Sequence, residues 1–426
     1  MKKIAIFIDS YNDFDSILPF IDYSLLRGGV KIVLYKTKRS NLSGCEDHLS
    51  YLKKVYNLVP INYDQNFSKK YSFLMDAYWM FGSFAQKAKQ NSYLLPFLLL
   101  FSRLDPIVRY LTQQEVNRKQ KDIGTDVIMM DFGKELSLYG RAIVKYSQKA
   151  HIATVGYLHG LSIYTNLDTL QKDKVNLNPI KKLLVNFIKP RTIRPYFDKY
   201  IVGIDQKSSY FSSSMMSHYE KTELNRVLEI GAPRFAKEWI LKYKENVIHP
   251  KNFTYGEDKK INVILFMSHP QYNVHIDELM LTIKALSLCS TINFVYKPHT
   301  RYRLDRINLK ELNGYDASKI SSLELSSWAD VGIVYGSSIA FQLLQDNVPL
   351  IMPKYIHSNT TIFEKNDICI DVNNIDELIN IFNYSKNEIN CMINKKNVDN
   401  FIKHYIYGDS DYNALMGNFY SSINPM

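Results

Sequence analysis

The sequence predicts an α/β protein built from two parallel-sheet domains. Short apolar runs that read as buried strands alternate with segments whose apolar residues fall at helical spacing, which is the pattern of a doubly wound sheet. Several of these strands end in an acid, a histidine or a turn of small residues. Ligands of open α/β sheets bind just beyond such strand ends. At 426 residues the chain exceeds one ordinary core, so two domains are the default.

The first domain is expected over residues 1–245. Lys3 to Asp9 (KIAIFID) reads as a buried strand ending in an acid. Asp15 to Leu26 has helical apolar spacing, Gly28-Gly29 stop it, and Val30 to Tyr35 form the next strand. No GxGxxG follows the first strand, so dinucleotide binding has no support. Tyr71 to Leu111 is a long helical region rich in Tyr, Phe and Leu, interrupted at Pro96. It reads as a buried helical insertion, with an acceptor groove or lipid-facing surface as the alternative. Asp126 to Asp131 (DVIMMD) is a strand ending in an acid; helix Lys134 to Lys149 and strand Ile152 to Leu158 follow, and His159-Gly160 comes next. Asp131 and His159 therefore both fall at strand ends. A histidine there can act as a base or face a phosphate; the plainer alternatives are a satisfied loop histidine and a helix-capping aspartate. Pro179 to Tyr200 carries six basic residues and one acid around an apolar helical face. It suits either an anionic membrane surface or an ordinary solvated face. Two more strands, Lys199 to Gly203 and Val227 to Gly231, lead into Gly231-Ala232-Pro233-Arg234, a tight turn from which Arg234 projects.

Glu245 to Lys260 is polar, with Pro250 and Gly256, and is the candidate linker. The second domain is expected over 261–385. Its strand Ile261 to Met267 ends in Ser268-His269-Pro270, and strand Ile292 to Tyr296 ends in Lys297-Pro298-His299-Thr300-Arg301. The stretch Ser327 to Met352 reads as strand Val331 to Tyr335, turn Gly336-Ser337-Ser338, helix Ile339 to Gln345 and strand from Pro349. A turn of small residues before a helix exposes backbone N–H groups to an anion, and Ser337 and Ser338 add hydroxyl donors. His269, the Lys297/His299/Arg301 cluster and Gly336-Ser337-Ser338 thus reach one sheet edge, with Lys354 after the next strand as a further candidate. This is the chemistry of a phosphate clamp without Walker A, since no GxxxxGK[ST] occurs. The clamp is cationic in itself, so no metal is implied, and no cofactor. A strand near Ile368 to Val372 and a helix Ile375 to Phe382 complete the domain, and residues 386–426 are expected as helices crossing back to the first domain.

Composition narrows the partners. The formal net charge of +11 favours phosphate-bearing ligands or anionic headgroups. No zinc finger, RNP-like strand or basic arm supports nucleic acid. Four cysteines without CxxC spacing argue against zinc or a disulfide framework and fit a reducing cytoplasm. No apolar run reaches the roughly 20 residues that a bilayer span needs, and no secretory signal is read at Met1-Lys2-Lys3.

The order YLHG (157–160), GAPRF (231–235), SHP (268–270), YKPHT (296–300) and ADVGIVYGSS (329–338) resembles GT-B glycosyltransferases of bacterial surface-polysaccharide synthesis. The nearest groups are the CMP-Kdo transferases of capsule and lipopolysaccharide and the CDP-glycerol glycerophosphotransferases of teichoic acid. The resemblance implies two Rossmann-like domains facing each other across a cleft. It also implies a nucleotide donor held on the second by Lys297, His299, Ser337 and Ser338, and an acceptor served from the first by His159 or Asp131. Arg234 would lie on the donor or hinge side. Three departures move the reading from polyol-phosphate toward sugar transfer. IVYGSS lacks the aspartate of the teichoic pattern, KPHT replaces the usual HP pair after the lysine, and HGLSI lacks the T-P-L-K continuation. The expected function is a cytoplasmic, metal-independent glycosyltransferase with a cytidine-nucleotide sugar donor such as CMP-Kdo. Its acceptor would be a glycan or lipid-linked, with peripheral contact to an anionic membrane surface. A CDP-polyol phosphotransferase is the alternative; a nucleotide-sugar epimerase and a non-enzymatic basic-surface binder are the remaining ones.

Overall fold

The computed structural model describes residues 1–88, 95–161, 163–166, 195–207, 221–248, 252–299 and 314–424. Thirteen strands among them form two sheets. The first contains β1 (Lys2–Phe7), β2 (Val30–Lys36), β3 (Ile61–Asn62), β4 (Val127–Asp131), β5 (Ala153–Tyr157), β6 (Lys199–Val202) and β7 (Val227–Glu229) in the order β3-β2-β1-β4-β5-β6-β7. The second contains β8 (Ile261–Phe266), β9 (Ile292–Lys297), β10 (Tyr315–Asp316), β11 (Val331–Val334), β12 (Leu350–Pro353) and β13 (Ile370–Val372) in the order β10-β9-β8-β11-β12-β13. Every pairing in both sheets is parallel. Parallel sheets need both faces covered, and the central strands are accordingly buried along most of their length.

The helices of the first domain are α1 (Tyr11–Arg27), α2 (Glu46–Tyr56), α3 (Lys69–Ala88), α4 (Leu95–Ile123), α5 (Leu138–Ala150) and α6 (Lys237–Tyr243). Helix α1 starts four residues before the expected Asp15 because Ser10 and Asp13 close a capping box. It ends at Gly28, whose φ of 76° only glycine adopts readily. The long apolar region resolves into α3 and α4. Pro96 sits in the first turn of α4, where its missing N–H costs nothing, and α4 runs on well past Leu111. The expected helix from Lys134 is divided: a 3₁₀ turn Lys134–Leu136 precedes Ser137, which accepts from the Gly140 amide and starts α5.

The second domain and the C-terminal segment carry α7 (Ile276–Leu288), α8 (Ser322–Trp328), α9 (Ala340–Gln345), α10 (Ile362–Lys365), α11 (Ile375–Ile381), α12 (Lys386–Cys391), α13 (Lys395–Tyr405) and α14 (Tyr412–Ser421). The last two connect the sheets. Phe401 of α13 stacks on Phe341 of α9 at 5.6 Å, and Phe419 of α14 packs on Phe20 of α1 at 5.1 Å. Between them the Ala232 amide donates to the Ile406 carbonyl at 2.8 Å. Phe341 also stacks on Phe235 of the first domain at 5.3 Å, so one apolar cluster runs through both domains. The fold is the GT-B arrangement of two facing parallel α/β domains.

Phe341 is fully buried where these pieces meet. Phe341→Ala is expected to cost about 3–5 kcal/mol, measured as a fall in the urea midpoint. Because its ring touches Phe235 and Phe401, both domains should lose stability together, as one transition seen by tryptophan fluorescence and by far-UV circular dichroism.

Candidate functional site at the facing sheet edges

The carboxyl ends of β4 and β5 build the first half of the site. Asp131 and Tyr157 are register partners, so their strands end level and bring Asp131 beside the loop that begins at Leu158. His159 Nδ1 lies 2.9 and 3.0 Å from the two Asp131 carboxylate oxygens. The two residues singled out at strand ends thus form one hydrogen-bonded pair. Asp131 is buried, whereas the His159 side chain is 43% exposed. The Ser16 hydroxyl of α1 donates to the His159 carbonyl at 2.8 Å, which fixes the loop from beneath. With Nδ1–H donated to the carboxylate, the imidazole lone pair stands on Nε2, the tautomer of a general base.

Next to this pair, Lys134 Nζ meets Asp9 beyond β1 at 2.7 Å. Burial alone would lower the Lys134 pKa. The carboxylates of Asp9, then Asp13 and Asp131, outweigh it and hold the ammonium above the ordinary lysine value. Asp13 is wholly buried, and burial pushes its carboxyl pKa up, even though the Ser10 hydroxyl and the Ser10 and Asp9 amides all donate to it. Asp9 was visible in the sequence as a strand-ending acid; Lys134 carried no signal beyond opening a helix.

The second half comes from β8, β9 and β11. His269 and His299 bring their rings to 5.4 Å, edge to face, and Tyr272 stands 6.5 Å from His269. Gly336 turns the chain at φ 70°. The buried Ser268 hydroxyl donates to the Tyr335 carbonyl just before it, joining the SHP loop to the GSS turn. The Ser337 and Ser338 carbonyls accept from Ala340 and Phe341 as a tight turn entering α9. His269, His299, Gly336, Ser337 and Ser338 therefore share one sheet edge.

Lys297 does not join them. Its ammonium turns back into the domain and donates to the Ala317 carbonyl at 3.3 Å and to that of Ile320, ahead of α8. Burial lowers its pKa. Lys354 is held by Asp371 at 2.5 Å and Glu364 at 3.8 Å. Arg301 and most of the basic segment 179–200 lie outside the described residues.

Arg234 projects from the GAPR turn, but into the first domain. Its guanidinium meets the buried Asp15 of α1 at 2.7 Å; Asp15 contacts His48 of α2 at 3.2 Å, and the Tyr243 hydroxyl reaches His48 Nε2 at 2.9 Å. Burial would raise the Asp15 pKa. Arg234 first, then His48 and Tyr243, overcome it and hold the carboxyl below the ordinary value. Arg234 also lines a pocket with Ser16, Leu158, Gly160, Leu161 and Gly203, under the His159 loop.

One contribution came without a sequence signal. Segment 163–166 of the first domain pairs with 359–362 of the second. The Thr165 amide donates to the Thr360 carbonyl and the Ile362 amide to the Ile163 carbonyl, each at 2.9 Å. Tyr164 stacks on Tyr272 at 5.5 Å, and its hydroxyl donates to the Gly336 carbonyl at 3.1 Å. Among the described residues, no group of three or more His, Cys, Asp or Glu is placed to hold a metal, and no helix is long and apolar enough to cross a membrane.

Removing Arg234 should expose the sign of its coupling to Asp15. The wild-type carboxylate, with its depressed pKa, contributes stability above the unfolded value of about 3.9, lost only as pH falls through the folded one. Arg234→Ala strips the buried carboxylate of its guanidinium and leaves it the His48 contact, at a cost of about 3–5 kcal/mol at pH 7. The Asp15 pKa then rises above its unfolded value, so the deficit should shrink between pH 7 and pH 5 as the carboxyl takes a proton. Urea melts of both proteins at the two pH values check this; an equal deficit at both would sink it.

No family model matches the chain, and no curated protein matches it. Solved structures do. A kitacinnamycin glycotransferase aligns over 100% of this chain and 99% of its own, with 10% identity and TM-score 0.53. The UDP-GlcNAc 2-epimerase from Neisseria meningitidis, bound to UDP-GlcNAc, aligns over 95% and 99%, with 10% identity and TM-score 0.52. A variant of the wall teichoic acid polymerase TagF aligns over 99% and 89%, with 11% identity and TM-score 0.50. At these identities the likeness is one of fold: the chain has the two-domain GT-B architecture that these transferases and this epimerase share.

Proposed function

We propose that the chain is a glycosyltransferase that moves a sugar from a nucleotide donor to a hydroxyl acceptor. The observation that carries this reading is the Asp131–His159 pair, set five residues from a tyrosine that touches the Gly336 turn. A loop of one domain that carries the proposed base thus docks, through Tyr164, on the small-residue turn of the other. His159 Nε2 takes the proton of the acceptor hydroxyl. The freed oxygen bonds to the anomeric carbon, and the bond from that carbon to the donor phosphate breaks, its electron pair leaving on the nucleotide. Asp131 orients the imidazole and stabilises the imidazolium that forms. The Ser337 and Ser338 hydroxyls, with His269 and His299 when protonated, face the departing phosphate. Closure of the cleft supplies proximity.

The donor we favour is a cytidine nucleotide sugar of the CMP-Kdo kind, on the order of the five motifs. The acceptor would be a growing surface glycan, free or lipid-linked, with the basic segment 179–200 as its membrane-facing candidate. A CDP-polyol phosphotransferase is supported by the fold shared with TagF. An epimerase is supported by the fold shared with an enzyme bound to UDP-GlcNAc; it would turn over its nucleotide sugar with no acceptor.

Thermal shift with CMP, CDP, UDP, GDP and dTDP tests the donor site, since a ligand of the folded state raises stability with concentration. CMP alone supports a Kdo-like donor, CMP with CDP brings in polyols, and UDP alone discards both cytidine groups. No response to any of them would sink the donor-site assignment. His159→Ala is expected to cut turnover by about 10²-fold or more with nucleotide binding kept. Asp131→Asn should cut it as well, by disturbing the tautomer. Unchanged turnover in His159→Ala would overturn the role of the base.

A further inference from the structure

Tyr164 is half-buried although it lies in a loop of the first domain, and its surroundings belong to the second. Its ring stacks on Tyr272 at 5.5 Å and 25° between planes, and its hydroxyl donates to the Gly336 carbonyl. At Gly336 a Cβ would overlap the Tyr164 hydroxyl, so the glycine that makes the turn also makes room for the tyrosine. The flanking residues are tied down just as closely. Thr165 Oγ1 lies 2.5 Å from Thr360 Oγ1, and the Asn166 amide donates to Asn359 at 3.0 Å. Buried Asn359 in turn accepts from Asn273 at 2.8 Å and donates to the Tyr272 carbonyl at 2.9 Å. A plain interdomain contact would need no such convergence. Here backbone pairing, an aromatic stack and a hydroxyl bond all fix one short segment against the turn that the function assigns to the donor phosphate. His159 precedes this segment by four positions in the sequence.

We propose that Tyr164 is a positioning residue for the transfer reaction. By docking on Gly336 and Tyr272 it holds the His159 loop at a fixed distance from the donor, so that the base and the anomeric carbon are brought together only when the loop is seated. The inference rests on the glycosyltransferase reading. Tyr164 acts through His159, not on the reacting atoms. Its loss removes catalysis from bound donor and leaves the nucleotide contacts of the second domain in place.

The test uses the full chain and two variants, Tyr164→Ala and Tyr164→Phe. Three readouts are taken: kcat and donor KM, the Kd of the nucleotide that stabilises the wild type, and hydrogen exchange in peptides covering 163–166 and 359–362. For Tyr164→Ala we expect kcat to fall at least tenfold, and donor KM and nucleotide Kd to stay within threefold. Exchange should rise at least tenfold in those two peptides and not in the central strands. Tyr164→Phe, which keeps the stack and loses the hydroxyl bond, should fall between the two in kcat and exchange. A wild-type kcat in Tyr164→Ala overturns the proposal. A nucleotide Kd weakened as much as kcat also overturns it, because Tyr164 would then be a ligand contact. If the wild type binds no nucleotide at all, the transferase reading fails while the exchange arm still decides whether Tyr164 seats the loop; unchanged exchange would remove that role too.

Discussion

Both sheets are parallel throughout, and that constraint governs everything else in the molecule. A parallel sheet gathers all its carboxyl ends on one edge, and each strand there hands over to a loop. Asp9, Asp131 and His159 meet for this reason, although about 150 residues separate the first from the last. His269, His299 and the Gly336 turn meet on the other sheet for the same reason. What then matters is how the two edges are held against each other. The Phe235–Phe341 stack and the C-terminal helices, which pack on Phe341 at one end and on Phe20 at the other, provide a hinge side of continuous apolar contact. The docked 163–166 segment provides the opposing contact beside the site.

The first domain contains two buried aspartates with contrasting partners, and the contrast separates structure from chemistry. Asp15 is met by a guanidinium, an imidazole and, through that imidazole, a tyrosine hydroxyl. Its charge is compensated within the fold. Asp131 gives both oxygens to a single histidine whose ring is nearly half exposed. Asp131 thereby orients a ring that stays accessible to solvent, which on the proposed reading is what a general base requires. Equal burial therefore does not mean an equal role; the partner decides.

Much of this was legible in the sequence, and the parts that were not share one cause. Strand ends are local facts: an apolar run followed by an acid, a histidine or glycine-serine-serine marks them. Asp131, His159, His269, His299 and the Gly336 turn could thus be picked out with nothing else in hand. The destination of a long side chain is not local. The motifs read Lys297 as donor-facing and Arg234 as lying on the donor or hinge side, but where they point is set by carbonyls at 317 and 320 and by a carboxylate at 15, which no motif contains. The break at Ser137 escaped for a milder reason: helical apolar spacing continues across it, while the cap that restarts the helix is a single serine. Tyr164 lay in an unremarkable polar stretch, and its meaning depends on a strand pairing with residues almost 200 positions away.

The geometry of the His159 loop follows from chain length alone. Tyr164 lies five positions after His159, and an extended chain spans at most about 3.6 Å per residue. The Cα of His159 therefore always lies within about 18 Å of that of Tyr164, and docking of Tyr164 on Gly336 places the far end of that tether on the second domain. Within the first domain, Ser16 and Asp131 hold His159. On the proposed reading, the two tasks of a general base are divided between the domains. Asp131 and Ser16 orient the ring at the first sheet edge, and its distance to the reacting carbon would be set by a tether that ends on the second.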